Sequence, residues 1–436
     1  MRKSAQPTRY FVISEIRIQN FKSICDLTIK LGRVTVLIGE NGSGKSNILE
    51  AIAFASGAAA NKLDNDLLYM RGVRVTDDMW MRCAFPVHDT TPGGNKDAQR
   101  AMRFTVKGST DEPVFECSVT TSRCKEDRSF NGWKVSAPVW KAEVDEALQQ
   151  IDFAEEIKKA LQNLKKSLPG AAVTQLAESG NDINSAIEEA FKLAVATARL
   201  RSMKRATLPE NAFGLGLTDF IIYAPENTTL RTPPPESAIQ PLGTKGEGLF
   251  KLLQSFTAPK FHERLTEMKS RLRLFGWFDD FLGPDDATTS QAKLQIRDRW
   301  LDERNPVFDQ RSANEGFLYL LFYFTLLMSW RTPRFFALDN VDNALNPKLC
   351  SELMTQIVDL AKKNNKQVIC TTHNPAILDG LDLTDEDQRL YTVRRNSDGH
   401  TIVRRIRAPQ PREGEMPVRL SEAFTRGIIG GLPDHF

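Results

Sequence analysis

Apolar and polar residues alternate along FVISEIRIQNF and ICDLTIK, and a third apolar run, VTVLI, stops at a glycine-rich turn. After the turn, NILEAIAFA repeats its apolar positions every three or four residues. The first spacing is that of half-buried strands and the second that of a helix, so the opening predicts strand, strand, strand, loop, helix. Between Asp77 and Trp140, short β-rich runs such as MRFTVKG and VFECSVTTS lie between turn clusters, as in an antiparallel sheet. From Lys141 to about Arg205 the period becomes helical. Pro169 and Gly170 interrupt it, which predicts a helical insertion and not a long coiled-coil arm. The segment LRTPPPES (Leu230 to Ser237) reads as a stiff surface link, followed by a helical stretch from Gly246 to Phe275. From Ala292 the chain returns to strands, then an apolar helix, strand RFFALD, helix PKLCSELMTQIVDLAKK, strand KQVICTT and a hairpin around RLYTVRRNSDGHTIVRRIR. Strands alternating with helices imply a parallel sheet.

At 436 residues the chain exceeds the usual size of a single core, so one large domain with insertions or two to three domains are expected. Its 41% hydrophobic and 26% charged residues exclude a disordered or collagen-like chain. Lys plus Arg is 58 against 55 for Asp plus Glu, a net charge of +3, too small to mark a nucleic-acid binder without a local basic surface. The apolar run from Gly316 to Trp330 falls short of the roughly 18 to 20 residues of a membrane span and reads as a buried helix. Glu15 and Arg17 interrupt the first apolar stretch, so no signal peptide is indicated; the expected location is the cytoplasm, with no membrane partner. Six scattered cysteines without a CxxC pair suggest neither a disulfide framework nor a zinc site.

Gly39 to Ser46 reads GENGSGKS, which fits GxxxxGK[ST] between a strand and a helix. In such a loop glycines let the backbone wrap closely, while amides and the helix N-terminus face the phosphates. Lys45 adds a point charge at the β and γ phosphates, and Ser46 can hold Mg²⁺. Gly39, Asn41, Gly42, Ser43, Gly44, Lys45, Ser46 and Asn47 are the candidate nucleotide contacts, with ATP and Mg²⁺ as the expected ligands. Asp339 ends the apolar strand RFFALD, where a Mg²⁺-ordering carboxylate of a P-loop enzyme belongs. His373 ends VICTTH, able to reach a γ-phosphate or the attacking water.

Together, IRIQNFKSI, GENGSGKSN, LDNVDNALNP and TTHNPAILDGL resemble the ABC-type ATPases of the SMC, RecF and OLD families, especially the short OLD-like ATPases of bacterial defence operons. The resemblance covers both ends of the chain and says little about the middle. It implies an α/β fold, an ABC-type P-loop ATPase head with an antiparallel β lobe and a helical insertion. Residues 1–140 would hold the P-loop and lobe, 141–290 the insertion and linker, and 291–436 the rest of the head. In that group two heads sandwich ATP, each closing a loop over the phosphates held by the other. The matching segment is SANEGFLYLL, which makes Asn314, Glu315 and Gly316 candidates for contact in trans; the alternative is an ordinary helix cap. The family's Glu after the Mg²⁺ aspartate is replaced by Asn340, which cannot take a proton at neutral pH, so slow hydrolysis is implied. Asp342 is either its substitute or a turn-capping residue, and Asn346 aligns with an aspartate that crosses between the heads.

The only acidic cluster, DLTDEDQ (Asp382 to Gln388), reads as a solvated turn, and no nucleophile with its base stands out. Chemistry beyond phosphoanhydride cleavage is therefore expected from another chain. Arg394, Arg395, Arg404 and Arg405 crowd the final hairpin, where they would track nucleic-acid phosphates, bind an acidic partner or merely protect a solvated edge. LRSMKR (Leu200 to Arg205) is a weaker basic candidate. The first reading is an ATP-binding engine that forms a homodimer or higher homo-oligomer and controls a separately encoded effector, a nuclease, in antiphage defence. A second is a RecF-like repair ATPase acting directly on DNA, and a third a scaffold clamped by permanently bound ATP.

Overall fold

The computed structural model describes residues 12–85, 101–108, 113–123, 130–136, 216–232, 241–283, 293–304, 307–408 and 418–430. The chain divides into one compact unit of Met1–Ser136 with Gly214–Phe436 and a second of Ala137–Phe213. The second unit, and with it the helical insertion and the basic run at 200–205, lies outside the described residues.

In the first unit, strands β1 (Glu15–Phe21), β2 (Ile24–Lys30) and β3 (Val34–Ile38) run as the alternation predicts, and the helix α1 (Lys45–Ala59) follows the glycine-rich turn. Short helices α2 (Asn65–Met70) and α3 (Asp78–Met81) precede β4 (Met102–Lys107), β5 (Pro113–Arg123) and β6 (Phe130–Ser136). These last three join β1 and β2 in an antiparallel sheet ordered β2-β1-β4-β5-β6, the expected lobe. The second sheet is built on β3. It gathers β7 (Ile222–Tyr223), β11 (Phe335–Leu338), β12 (Gln367–Thr372), β13 (Gln388–Arg395) and β14 (Thr401–Ile406) in the order β14-β13-β3-β12-β11-β7. All its pairings are parallel except β13 with β14. Every residue of β3, β11 and β12 is buried, the uniformly apolar character of strands covered on both faces.

Helix α1 is apolar around most of its circumference because both sheets cover it. Phe54 meets Phe21, Phe104 and Trp133 of the antiparallel sheet at ring separations of 5.6, 5.8 and 5.1 Å. After β7 come the helices α4 (Asn227–Arg231), α5 (Leu249–Gln254) and α6 (His262–Leu272), then a three-stranded sheet of β8 (Phe278–Leu282), β9 (Gln295–Asp298) and β10 (Val307–Phe308). The apolar run predicted as a buried helix is α7 (Glu315–Met328), in which every residue after Glu315 is buried. Phe322 packs against Tyr223 at 5.9 Å, and Phe317 lies 5.3 Å from Trp277 and 5.2 Å from Phe278. Residues 216–232 and 241–283, expected to belong to the insertion and linker, thus contribute to the core of the head itself. A two-residue edge strand such as β7 has no alternation to reveal it.

Helix α8 (Pro347–Lys363) buries Cys350, Leu353, Met354, Ile357, Leu360 and Ala361 on one stripe. Asn346 caps it, Pro347 opens it, and Lys362 and Lys363 complement its C-terminal dipole. A last helix, α9 (Leu420–Thr425), docks through Ser421, which donates to Asp379. Among the described residues no helix is long and apolar enough to cross a membrane.

Phe317 is fully buried between α7 and the β8 hairpin, so Phe317→Ala should destabilise the head by about 3 to 5 kcal/mol, the usual cost of emptying a core phenylalanine site. Urea unfolding should show a lower midpoint at unchanged slope.

Candidate nucleotide site

The turn between β3 and α1 takes its shape from two left-handed residues, Gly42 (φ 77°) and Gly44 (φ 105°). Gly44 occupies the cap position of α1, no side chain caps the helix and no acid lies in its first turn, so the amides and the positive dipole end are left for an anion. The β13–β14 hairpin lies directly against this turn. A Cβ on Gly44 would fall 2.0 Å from Thr401 Oγ1, and one on Gly39 would fall 2.1 Å from the Val393 carbonyl. Thr401 Oγ1 donates to the Ser43 carbonyl at 3.1 Å, and Arg395 Nε donates to the Gly42 carbonyl at 2.8 Å. Asn47 is also held, its amide donating to Ser23 Oγ at 2.6 Å, whereas Asn41 is exposed.

Lys45 is buried, and its ammonium donates to the carbonyls of Gly39 (2.8 Å) and Glu40 (2.9 Å). Burial lowers its pKa to about 8, against the pull of Asp339, Asp342 and Glu40. His373 Nδ1 stands 3.4 Å from the Lys45 nitrogen. Burial, and then the Lys45 charge, hold the imidazole below its ordinary pKa, so it is neutral near pH 7.

At the ends of β11 and β12 the predicted residues converge. Asp339 accepts from Ser46 Oγ at 3.2 Å and, on its other oxygen, from Thr371 Oγ1. A hydroxyl and a carboxylate this close are the hard oxygen donors that Mg²⁺ prefers, so Ser46 and Asp339 fit that ion, which would neutralise the phosphates. Asn340 follows with φ 53°, its amide donating to Thr371 Oγ1 at 2.9 Å. Asn accepts this left-handed backbone more readily than Glu does, a local reason for the residue found there. Asp342 accepts from Thr372 Oγ1 at 2.7 Å, so its carboxylate is turned to the end of β12.

Asn314 caps α7, its side chain accepting from the Phe317 amide at 3.4 Å, so the capping alternative holds within this chain. Glu315 is half-buried, and a side chain at Gly316 would press on Leu345. Asn346 likewise caps α8, accepting from the Leu349 amide at 3.0 Å. The arginine strip is not one surface. The pleat puts Arg394 and Arg404 on one face of the hairpin and Arg395 and Arg405 on the other. Arg395 props the P-loop and lies 5.5 Å from the Phe85 ring centre, Arg405 pairs with Glu386 at 2.8 Å, and Arg404 donates to the Ile429 carbonyl. The DLTDEDQ acids bond within their own turn and to Lys362, Arg33, Arg389 and Arg405.

The sequence reading missed Thr371, Thr372 and Thr401, which orient the site residues, and also a buried carboxylate. Glu50 on α1 takes Lys22 and Arg74 as partners, with Arg74 Nε at 2.5 Å. Arg74 also donates to Asn47 Oδ1 at 3.3 Å. Glu50, Arg74, Ser46 and Asp339 line a cleft of about 620 Å³. Only Lys22, inside the IRIQNFKSI segment, carried a signal.

A hydroxyl, an aspartate and a P-loop at the C-terminal ends of parallel strands, with an antiparallel lobe over the helix, define an ABC-type ATPase head, and ATP with Mg²⁺ are the ligands of this site. Residues 12–189 match a family model described as an AAA ATPase domain, and 274–379 one described as "AAA domain, putative AbiEii toxin, Type IV TA system". The chain is 46% identical over 114 residues to the DNA double-strand break repair Rad50 ATPase of Sulfolobus acidocaldarius, a match covering 25% of this chain and 11% of that protein. It is 40% identical over 55 residues to the DNA replication and repair protein RecF of Bacillus cytotoxicus, covering 12% and 15%. The chain thus spans a small fraction of the length of the curated relatives it matches. The fold is shared with a solved SMC head bound to the C-winged helix domain of ScpA, at a TM-score of 0.50 and 12% identity, over 91% of this chain and 98% of that one.

Lys45→Ala should abolish most ATP affinity in calorimetry, since the phosphates would lose a buried cation; unchanged binding would contradict the assignment. Gly44→Ala should do the same without touching a charge, because it meets both a forbidden φ and the Thr401 hydroxyl. Retained affinity in Gly44→Ala would mean that the hairpin does not set the loop's shape.

Proposed function

We propose that this chain is an ATP-binding engine that pairs with a second copy around nucleotide and controls a separately encoded effector, a nuclease, in antiphage defence. The observation that carries the reading is the turn after Asp339, where Asn340 holds a left-handed backbone and Asp342 is braced by Thr372. Such a turn retains ATP while withholding a carboxylate from the position next to Asp339. Asp342, which shares the field of Lys45 and His373, is then the residue that positions water. With no carboxylate directly after Asp339, Asp342 alone supports only slow hydrolysis, and occupancy sets how long the paired state lasts. Glu315 and the exposed P-loop residues Glu40 and Asn41 supply the contacts between copies. The effector reading draws on the resemblance to OLD-like defence ATPases and on the matched toxin–antitoxin model. Purification from the native host tests it: a co-purifying nuclease is the expected result, and repair factors in its place would overturn it.

A RecF-like action on DNA is the second reading, supported by Arg394 and Arg404, which project from one face of the hairpin. Arg394→Glu with Arg404→Glu should then weaken duplex DNA binding most at low salt. If the isolated protein has no affinity for DNA, this reading fails.

Single-turnover hydrolysis separates the roles at the turn. Asp342→Ala should slow cleavage by about a hundredfold or more while ATP stays bound, the usual scale for a lost general base. Asn340→Glu should change little, because its left-handed backbone conformation disfavours Glu. Fast turnover that survives Asp342→Ala would remove Asp342 from the mechanism, and no cleavage by the wild type would leave an ATP-clamped scaffold.

A further inference from the structure

Several surface cations on this head are neutralised locally. Arg271 rests on Glu267 and Asp359, Lys363 on Glu267, Lys362 on Asp385, and Arg389 and Arg405 on Glu386. One cluster of unpaired cations is instead gathered at an exposed tryptophan. Lys260, Arg264 and Arg331 lie against the stacked rings of Phe261 and Trp330, Arg334 follows three residues after Arg331, and none of the four forms an ion pair among the described residues. The rings lie 3.8 Å apart at 20°. Lys260 Nζ is 4.8 Å from the Phe261 centre, Arg264 Cζ is 6.0 and 5.8 Å from the two rings, and Arg331 Cζ is 5.7 Å from Trp330. Arg334 is exposed and, like Arg264, acts on the buried Lys366, and Trp330 is 43% exposed.

The support beneath the cluster is fixed in advance. Thr332 Oγ1 donates to the carbonyls of Leu326 (2.6 Å) and Ser329 (3.0 Å), and Arg264 donates to that of Met328 (2.6 Å). The buried Lys366 ammonium donates to the Thr332 and Pro333 carbonyls at 2.8 and 3.1 Å. Burial lowers the Lys366 pKa to about 7, and Arg334 and Arg264 add repulsion with no carboxylate to offset them. The local field is positive, and the segment needs no ordering when a partner arrives. This surface is also remote from the nucleotide. Residues 329–334 lead into β11 and Lys366 into β12, whereas Asp339 and His373 follow the opposite ends of those parallel strands.

Arginine and tryptophan are the residues that concentrate energy at protein interfaces, and unpaired guanidiniums accept carboxylates through paired hydrogen bonds. A nucleic-acid strand is the poorer fit. Base stacking needs a free ring face, yet Phe261 covers one face of Trp330 and guanidiniums lie near the rings. We propose that this patch docks an acidic segment of a partner protein, its carboxylates bridging Arg264, Arg331 and Arg334 and an apolar side chain resting on the exposed part of Trp330. The proposal does not depend on the reading of the nucleotide site.

The test titrates full-length protein into a fluorescein-labelled peptide of alternating Glu and Leu and follows anisotropy over a range of salt. Binding should weaken as salt rises, and Arg331→Glu with Arg334→Glu should lower affinity at least about tenfold. The charge-matched control Arg273→Glu with Arg304→Glu should bind as wild type, and both double variants should keep wild-type ATP affinity and melting temperature. No binding of the peptide, or equal loss in the control, overturns the proposal. So does a single-stranded oligonucleotide that binds more tightly than the peptide and is lost in the Arg331/Arg334 variant, which would make the patch a nucleic-acid surface.

Discussion

The P-loop keeps its shape because a hairpin lies against it with no room for side chains between them. Val393 and Thr401 occupy the space that a Cβ on Gly39 or Gly44 would need, and Thr401 and Arg395 hold the loop's carbonyls. With the carbonyls engaged, the amides at the start of α1 face an anion. The lobe contributes from the other side, where Ser23 bonds both Thr401 and Asn47. Two segments nearly four hundred residues apart in the chain therefore fix one turn.

Charge is distributed around that turn so that the buried lysine is tolerable. Lys45 would be costly beneath the loop without the two carbonyls that it reaches and the nearby Asp339 and Asp342. The two aspartates are in turn oriented by Thr371 and Thr372, adjacent residues whose hydroxyls take different partners. Thr371 also receives the Asn340 amide. The end of β12 thus sets the metal carboxylate, the left-handed turn and the second carboxylate together, with His373 next in line.

Much of the site was legible because it follows short contiguous motifs at strand ends: the P-loop, Asp339 and His373 all come from local patterns that strand–loop–helix geometry places together. The apolar run of α7 and the burial of β3, β11 and β12 were legible for the same reason, since composition alone marks elements covered on all sides. Tertiary features were not. The two-residue β7 and the packing of 241–283 into the core depend on contacts that no period encodes. The arginines read as one strip because a sequence does not show which face each takes, and the pleat gives them separate partners. Glu50 looked like any polar residue on a helix until Lys22 and Arg74 were seen to converge on it.

The proposed function requires that nucleotide occupancy, and not its turnover, holds two heads together. Sedimentation velocity of the purified protein with ATP and Mg²⁺, with ADP and Mg²⁺, and with neither tests it most directly. The account predicts a doubling of mass only with ATP, persisting far longer than one catalytic cycle of an ordinary ATPase. A protein that stays at one mass in all three conditions, or that pairs equally well with ADP, would contradict it.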